Sequence, residues 1–215
     1  GKVELKRENG KRVKVKPSVF VEEDQQYITD WGSLENFRNE SSFKVDCKKS
    51  ILEKWREDSD VHQRGYTRMA YEILLENKSA QALSDLKVEY RVYYDKERNN
   101  NSTKKVDTIP SILPGSMEIQ VVPPSQKISK TTHSIVLEKY SYNISDYYRV
   151  DGADPESTQD ELRGIWIRLT LESDSGQRVV RDLCEPSSVR KKYTWSDAPA
   201  TSNKKEKRRK KGNRR

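Results

Sequence analysis

Much of this chain alternates between apolar and polar residues with a period of two, the spacing of a β-sheet that buries one face. The first such run places five residues on one side: Phe43, Val45, Cys47, Ile51 and Trp55. The alternating runs are 43–55, 69–75, 86–94, 117–121, 135–137, 165–171 and 180–184. Turn-forming residues separate them. Seven short strands predict a mainly β fold, an immunoglobulin- or fibronectin-like sandwich.

The residues before these strands predict a β-hairpin followed by a short helix. Two alternating stretches flank Asn9–Gly10, a dipeptide that favours the type I′ turn of a two-residue hairpin. Apolar Tyr27, Ile28 and Trp31 then recur at helical spacing. This spacing predicts a helix over 21–31 that packs on the hairpin.

The same opening segment carries an ordered set of residues. These are Gly1-Lys2-Val3, Leu5-Lys6, Asn9-Gly10-Lys11, Val15 and Glu23-Asp24-Gln25-x-Tyr27-Ile28. In this pattern the segment resembles the C-terminal half of an SLA homology domain of the first type, a small barrel-like module. The resemblance implies that the other strands of the module precede Gly1.

The SLA homology domain of the yeast adaptor that names the family binds Asn-Pro-Phe-x-Asp sorting peptides. Similar modules occur in secreted proteins of planctomycete and verrucomicrobial bacteria, and this chain looks more like those. The resemblance therefore implies a secreted bacterial protein in which a partial module precedes the sandwich. It implies no catalytic activity.

These elements divide the chain into four segments. Residues 1–31 are the partial SLA-type module, 32–42 a linker, 43–196 the β-sandwich and 197–215 a tail. We expect Trp195 to close the sandwich after a single helical turn. The tail has too few apolar residues to offset the entropy of ordering, so we expect it to be disordered.

The net charge of the chain is concentrated in this tail. The formal net charge is +8, and residues 201–215 hold nine Lys or Arg and one Glu. Taking nine from 42 basic and one from 34 acidic residues leaves 33 of each in the rest of the chain. The basic residues of the tail are Lys204, Lys205, Lys207, Arg208, Arg209, Lys210, Lys211, Arg214 and Arg215.

Two interpretations of the tail remain open. It either binds an anionic polymer, such as nucleic acid, envelope polysaccharide or lipid headgroups, or it only keeps the protein soluble. Nine contacts with duplex DNA would give a log–log salt slope of about −8, with no dependence on sequence.

A tyrosine-rich run after the strand at 135–137 predicts a binding loop. Its candidate partner-binding residues are Tyr140, Tyr142, Tyr147, Tyr148 and Arg149. Tyrosine interleaved with Ser and Asn offers rigid contact area with polar tips, as binding loops on sandwich scaffolds do. The alternative is that these rings fold back over the end of their own sandwich.

The two cysteines leave the compartment open. Cys47 and Cys184 form either one disulfide in an oxidising compartment or two buried thiols in a reducing one. The sequence contains no apolar stretch of membrane-spanning length and no visible signal peptide. Because it begins at Gly1, the missing signal peptide carries no weight.

The sequence contains no motif for catalysis or metal binding. His62, in a polar stretch, and His133, at the start of a strand, lack the H-E-x-x-H and H-x-E patterns. Nucleophile-elbow and phosphate-loop motifs are absent as well. The acids of 151–156, with Asp160 and Glu161, lack EF-hand spacing and favour a solvated loop over a calcium site. We therefore expect no enzyme, no cofactor and no metal.

Three functional hypotheses follow. The first is a non-catalytic protein-binding or structural module of a secreted or periplasmic, envelope-associated protein, whose tail binds anionic polymers. The second is a cytoplasmic RNA- or ribosome-associated protein that binds through the tail. The third is an unrecognised hydrolase, retained because a missing motif is weak evidence. The sequence determines neither the protein partner nor the oligomeric state.

Overall fold

Two β-sheets face each other, and an N-terminal hairpin and helix precede them. A computed structural model describes residues 3–60, 62–100, 102–103, 105–142 and 157–195. Its elements are β1 (Val3–Lys6), β2 (Arg12–Val15), a 3-10 turn (Pro17–Val19), α1 (Glu22–Arg38), β3 (Phe43–Asp58), β4 (His62–Asn77), β5 (Leu83–Asn100), β6 (Lys105–Val122), β7 (Gln126–Thr131), β8 (Ile135–Tyr142), β9 (Thr158–Gln159), β10 (Glu161–Glu172), β11 (Arg178–Glu185) and α2 (Val189–Lys192). The predicted mainly β fold is confirmed.

The strands form an antiparallel sandwich with a single main core. One sheet has the order β11-β10-β5-β6, and the other has the order β3-β4-β8-β9, with β7 also paired to β4. Strand β4 is central, because it pairs with β3 on one side and with β8 and then β7 on the other. The inward side chains form the core, which includes Ile73, Leu75, Leu86, Val88, Ile165, Ile167 and Leu169. This burial explains the period of two.

The sandwich has nine strands in the described residues, where the sequence predicts seven. The two missed strands are β7 and β9. Only Ile128 of β7 packs against the core, and β9 has two residues. Neither strand therefore has an apolar period, and both are placed by ladder hydrogen bonds to longer neighbours.

The helix is longer than predicted and contacts the sandwich. It extends through Arg38, into the segment expected to be a linker, because Leu34 and Phe37 are buried in the main core. Tyr27 and Trp31, which the helical spacing placed against the hairpin, are 55% and 53% exposed. Tertiary burial of the last two turns thus outweighs the low helix propensity of Gly32 and Ser33. Within the described residues, no helix is both long and apolar enough to span a bilayer.

The predicted hairpin is present, but its turn is longer than two residues. The pairing of β1 with β2 ends at Lys6 and Arg12. Gly10, with φ of 79°, donates its amide proton to the Arg7 carbonyl at 2.8 Å. Gly10 therefore has the left-handed conformation that the Asn-Gly pair predicts, but it lies in a turn of more than two residues.

Arg181 of β11 fastens the helix to the sandwich. Its Nη1 donates to the carbonyl oxygens of Phe37 and Phe43, at 2.6 and 2.8 Å, and its guanidinium lies over both rings. The rings themselves are 5.4 Å apart. Burial lowers the pKa of Arg181. One side chain thereby joins the end of α1, the start of β3 and the second sheet.

The C-terminal segment covers the outer face of the four-stranded sheet. The single turn α2 begins after Ser188, and Trp195 meets Trp166 edge-on at 5.7 Å. The Trp195 ring lies between the guanidinium groups of Arg91 and Arg168, at 4.6 and 4.4 Å. The prediction that Trp195 closes the sandwich is confirmed. The predicted tail, 197–215, lies outside the described residues.

Asp160 joins the two sheets where the chain crosses from β9 to β10. Its carboxylate accepts from the backbone amides of Glu97 on β5 and Glu138 on β8, both at 3.1 Å, and from Arg98 at 2.8 Å. Asp160 is 5% exposed. The solvated loop predicted for this acid is therefore wrong here, since three hydrogen bonds compensate its burial.

Replacing Asp160 by alanine should destabilise the protein by about 3 kcal/mol, because Arg98 and two backbone amides lose their buried acceptor. The control is Asp46→Ala, which removes an exposed surface ion pair with Lys44 and should cost less than about 1 kcal/mol. Urea unfolding measures both. Equal costs would contradict the proposed link between the sheets.

Candidate binding surface

A row of rings and guanidinium groups lies on the outer face of the five-stranded sheet. We call it the aromatic–arginine surface, and it consists of Trp55 on β3, His62, Arg64, Tyr66 and Arg68 on β4, and Tyr140 and Tyr142 on β8. The register pairs Trp55 with Tyr66, His62 with Tyr142, and Arg64 with Tyr140. Paired residues of an antiparallel sheet share a face, so all seven side chains lie on the same face.

A β-bulge places Trp55 on this surface. Ile51 pairs with Met69, but Glu53 pairs with Arg68, so Leu52 is an extra residue in β3. One extra residue reverses the facing of every side chain after it. The prediction that Trp55 shares the inward face of Phe43 is therefore wrong, because a strict period of two does not cross a bulge.

The side chains of the surface stack on one another. The Trp55 and Tyr66 rings are stacked with centroids 5.1 Å apart, and the Arg68 guanidinium lies 5.6 Å from the Trp55 centroid. Tyr140 contacts Tyr142 edge-on at 5.1 Å and lies 5.5 Å from the Arg64 guanidinium. These contacts restrict the rotamers of large side chains, so binding a partner would cost little further side-chain entropy.

Carboxylates balance the charge of the two arginines. Arg68 pairs with Glu53 at 3.0 Å, and Arg64 lies 3.9 Å from Glu138. Tyr66 donates its hydroxyl proton to Glu57 at 3.2 Å. The surface is therefore close to neutral and offers planar rings and polar tips rather than a net positive field.

Two side chains of this surface have raised pKa values. Burial, followed by the hydrogen bond with Tyr142, raises the pKa of Tyr140, so its phenol remains neutral at physiological pH. The side-chain hydrogen bond with Tyr66 raises the pKa of Arg64, which remains a cation. Neither Tyr140 nor Arg64 changes its protonation state near neutral pH.

The structure places the predicted tyrosines differently from the expected loop. Tyr140 and Tyr142 belong to β8 and are half-buried. Tyr147, Tyr148 and Arg149 lie outside the described residues, as do the basic residues of the tail. Tyr140 and Tyr142 thus form one end of a larger surface that is built mainly by β4.

Sequence reasoning missed the β4 part of this surface. His62, Arg64, Tyr66 and Arg68 occupy every second position, and that alternation was the available signal. It was overlooked because the prediction followed apolar periodicity, which begins in β4 only at Met69. His62 is the first residue of β4, and its ring lies 5.6 Å from that of Tyr140.

Among the described residues, neither His133 nor a cluster of acidic, His or Cys side chains adds a metal site. His133 donates its amide proton to the Tyr90 hydroxyl at 2.8 Å, and its Nδ1 lies 3.0 Å from the same oxygen. It lies between β7 and β8, just before the strand rather than in it. In the part of the chain that the structure describes, no three His, Cys, Asp or Glu side chains are grouped as metal ligands would be.

The two cysteines are free thiols, Cys47 on β3 of the five-stranded sheet and Cys184 on β11 of the four-stranded sheet. Cys47 packs against the main core, between the sheets. Cys184 packs with Trp166 on the outer face. The disulfide left open by the sequence is therefore not formed.

Comparisons with known proteins assign this chain to no family. No protein-family model and no curated protein matches this chain. Among solved structures, the Northeast Structural Genomics Consortium target SoR45 is 15% identical with a TM-score of 0.32, covering 67% of this chain and 86% of that chain. Spo0M, a sporulation control protein from Bacillus subtilis, is 10% identical with a TM-score of 0.18, covering 65% of this chain and 47% of that chain. At these TM-scores neither similarity bears on function.

The reactivity of the two thiols tests directly whether Cys47 and Cys184 are free and buried. Burial raises the pKa of Cys47 to about 12 and also raises the pKa of Cys184, so at pH 8 both thiols are protonated and poorly nucleophilic. We expect Ellman's reagent to react slowly with the native protein and to titrate both thiols in denaturant without reductant. Cys184→Ser should lower the count by one. A count of zero in the wild type would demonstrate a disulfide.

Proposed function

We propose that this chain is a non-catalytic protein-binding module that recognises another protein through the aromatic–arginine surface. The observation that carries the proposal is the convergence of Trp55, Tyr66, Tyr140 and two arginines on one rigid sheet face. Trp, Tyr and Arg are the residues most enriched at the energetic centres of protein interfaces. Exposed Val136, paired with Arg68, adds apolar area to the same face.

Charge balance favours a protein over a nucleic acid as the partner of this surface. A phosphate backbone is bound by cations without other partners. Arg64 and Arg68 each have a carboxylate within 4 Å of the guanidinium. A polyanion would have to displace these carboxylates, whereas a protein surface of mixed charge would not.

The proposal includes a location and a tail function. We place the protein in the secreted or envelope-associated class that the SLA-type resemblance suggests, and we assign the tail to contact with anionic polymers. The support for the tail is its charge, nine basic residues against one acidic residue in 201–215. The same charge also fits the alternative, an RNA-associated cytoplasmic protein.

Substituting two rings of the surface should abolish partner binding. We expect Trp55→Ala with Tyr140→Ala to reduce capture of a discrete partner from an extract of the producing cells by at least about tenfold, since truncated aromatic centres typically cost 2 kcal/mol or more. The matched control is Tyr27→Ala with Trp31→Ala, which removes two exposed rings of α1. Circular dichroism verifies folding of both variants.

Equal capture by the wild type and both variants would refute this surface as the binding site. Equal loss in both variants would show that general aromatic exposure, rather than this arrangement, determines the capture.

Removing residues 201–215 should abolish retention on heparin without lowering the melting temperature, because the segment carries the whole net charge and almost no apolar area. The control replaces its nine basic residues by Gln at constant length and should elute like the deletion. Unchanged elution of either variant would show that the body binds heparin. Co-purifying RNA that high salt removes would favour the RNA-associated alternative.

A further inference from the structure

The inner face of the β3–β4–β8 sheet extends beyond the core into an open groove. On β3 the inward side chains are buried at Phe43 and half-buried at Val45 and Cys47, but Lys49, Ile51 and Lys54 are exposed. Strand β11 of the other sheet, which contacts β3, ends at Glu185. From Lys49 onwards, therefore, β11 no longer covers β3.

The groove has room for a ligand. Its volume is about 750 Å³, within the range of small-molecule and peptide sites. Aliphatic side chains line its floor: Ile51, Met69, Leu137 and Leu162. Three lysines border this floor, Lys49 and Lys54 from β3 and Lys139 from β8.

The three lysines differ in their ion pairing from other lysines of the described sheets. Within the described residues, none of them has a carboxylate within ion-pair distance, whereas Lys44, Lys48 and Lys87 elsewhere on the sheets each do. The acids of the opposite wall already have partners. Asp160 is bound by Arg98 and two amides, and Glu161 pairs with Arg163. The groove therefore has an excess of positive charge beside an aliphatic floor.

We propose that this groove binds an acidic peptide segment with at least one aliphatic side chain. Carboxylates of the peptide would contact Lys49, Lys54 and Lys139, and the aliphatic group would rest on Ile51 and Leu137. Charge complementarity selects an anion. The aliphatic floor matches an apolar side chain of a peptide, and Trp55 and Tyr66 complete the lining of the groove. The inference rests on the proposed protein-binding function and adds the chemistry of the partner.

The test uses the full chain and a short fluorescent peptide of alternating Glu and Leu. Lys49→Gln with Lys54→Gln and Lys139→Gln should weaken binding at least about tenfold, since three charge contacts are lost. The matched control, Lys44→Gln with Lys48→Gln and Lys87→Gln, makes the same change in net charge and should alter the Kd less than about twofold. The basic tail is identical in both proteins, so its contribution cancels.

A second variant tests the floor. Ile51 is 51% exposed, so Ile51→Gln should leave the fold intact. This substitution should weaken binding of the Glu–Leu peptide several-fold and leave the affinity for a Glu–Gly peptide unchanged. Equal weakening of the binding of both peptides would show that Ile51 makes no specific contact with the leucine side chains and would overturn the proposed aliphatic contact.

Two further outcomes would overturn the inference. Equal weakening in both lysine variants would assign the binding to net charge or to the tail. If the variant of Lys49, Lys54 and Lys139 lost oligothymidylate binding in parallel with peptide binding, the groove would be a nucleic-acid site. Trp55 lines the groove as well as the aromatic–arginine surface. Both lysine variants retain Trp55 and Tyr140, so partner capture by the aromatic–arginine surface can succeed when the groove proposal fails.

Discussion

The register between β3 and β4 determines which side chains of this protein face solvent. Leu52 is the extra residue that changes it. Before the bulge, β3 directs Val45 and Cys47 toward the core; after it, Trp55 turns outward onto Tyr66, and Lys54 turns inward opposite Thr67. A single inserted residue thereby creates both the stacked ring pair of the outer face and part of the charged rim of the inner one.

The two faces of this hairpin offer different chemistry. On the outer face, Glu53 and Glu138 balance the arginines, so rings dominate. On the inner face, the acids nearest the lysines are already bound within the protein, so positive charge remains. Asp160 is the main cause of this difference, because its carboxylate bonds to amides of both sheets rather than to a lysine. The same bonds fix the wall of the groove.

The sequence predicted those features that depend on burial of one sheet face. Seven strands, the hairpin and the closing role of Trp195 follow from apolar periodicity and turn chemistry. Features set by tertiary contacts were missed: the two polar strands, the last turns of α1 buried through Phe37, and the burial of Asp160. The binding surface was predicted only at Tyr140 and Tyr142, since its other members depend on a bulge that no local pattern marks.

The most direct test is the register itself, read from nuclear Overhauser effects between backbone protons of β3 and β4. Directly opposed residues of antiparallel strands have Cα atoms about 4.5–5.5 Å apart. The bulged register predicts strong cross-strand effects between Trp55 and Tyr66. An unbulged strand would pair Lys54 with Tyr66 instead, turn Trp55 inward, and contradict both the aromatic–arginine surface and the lysine-bordered groove.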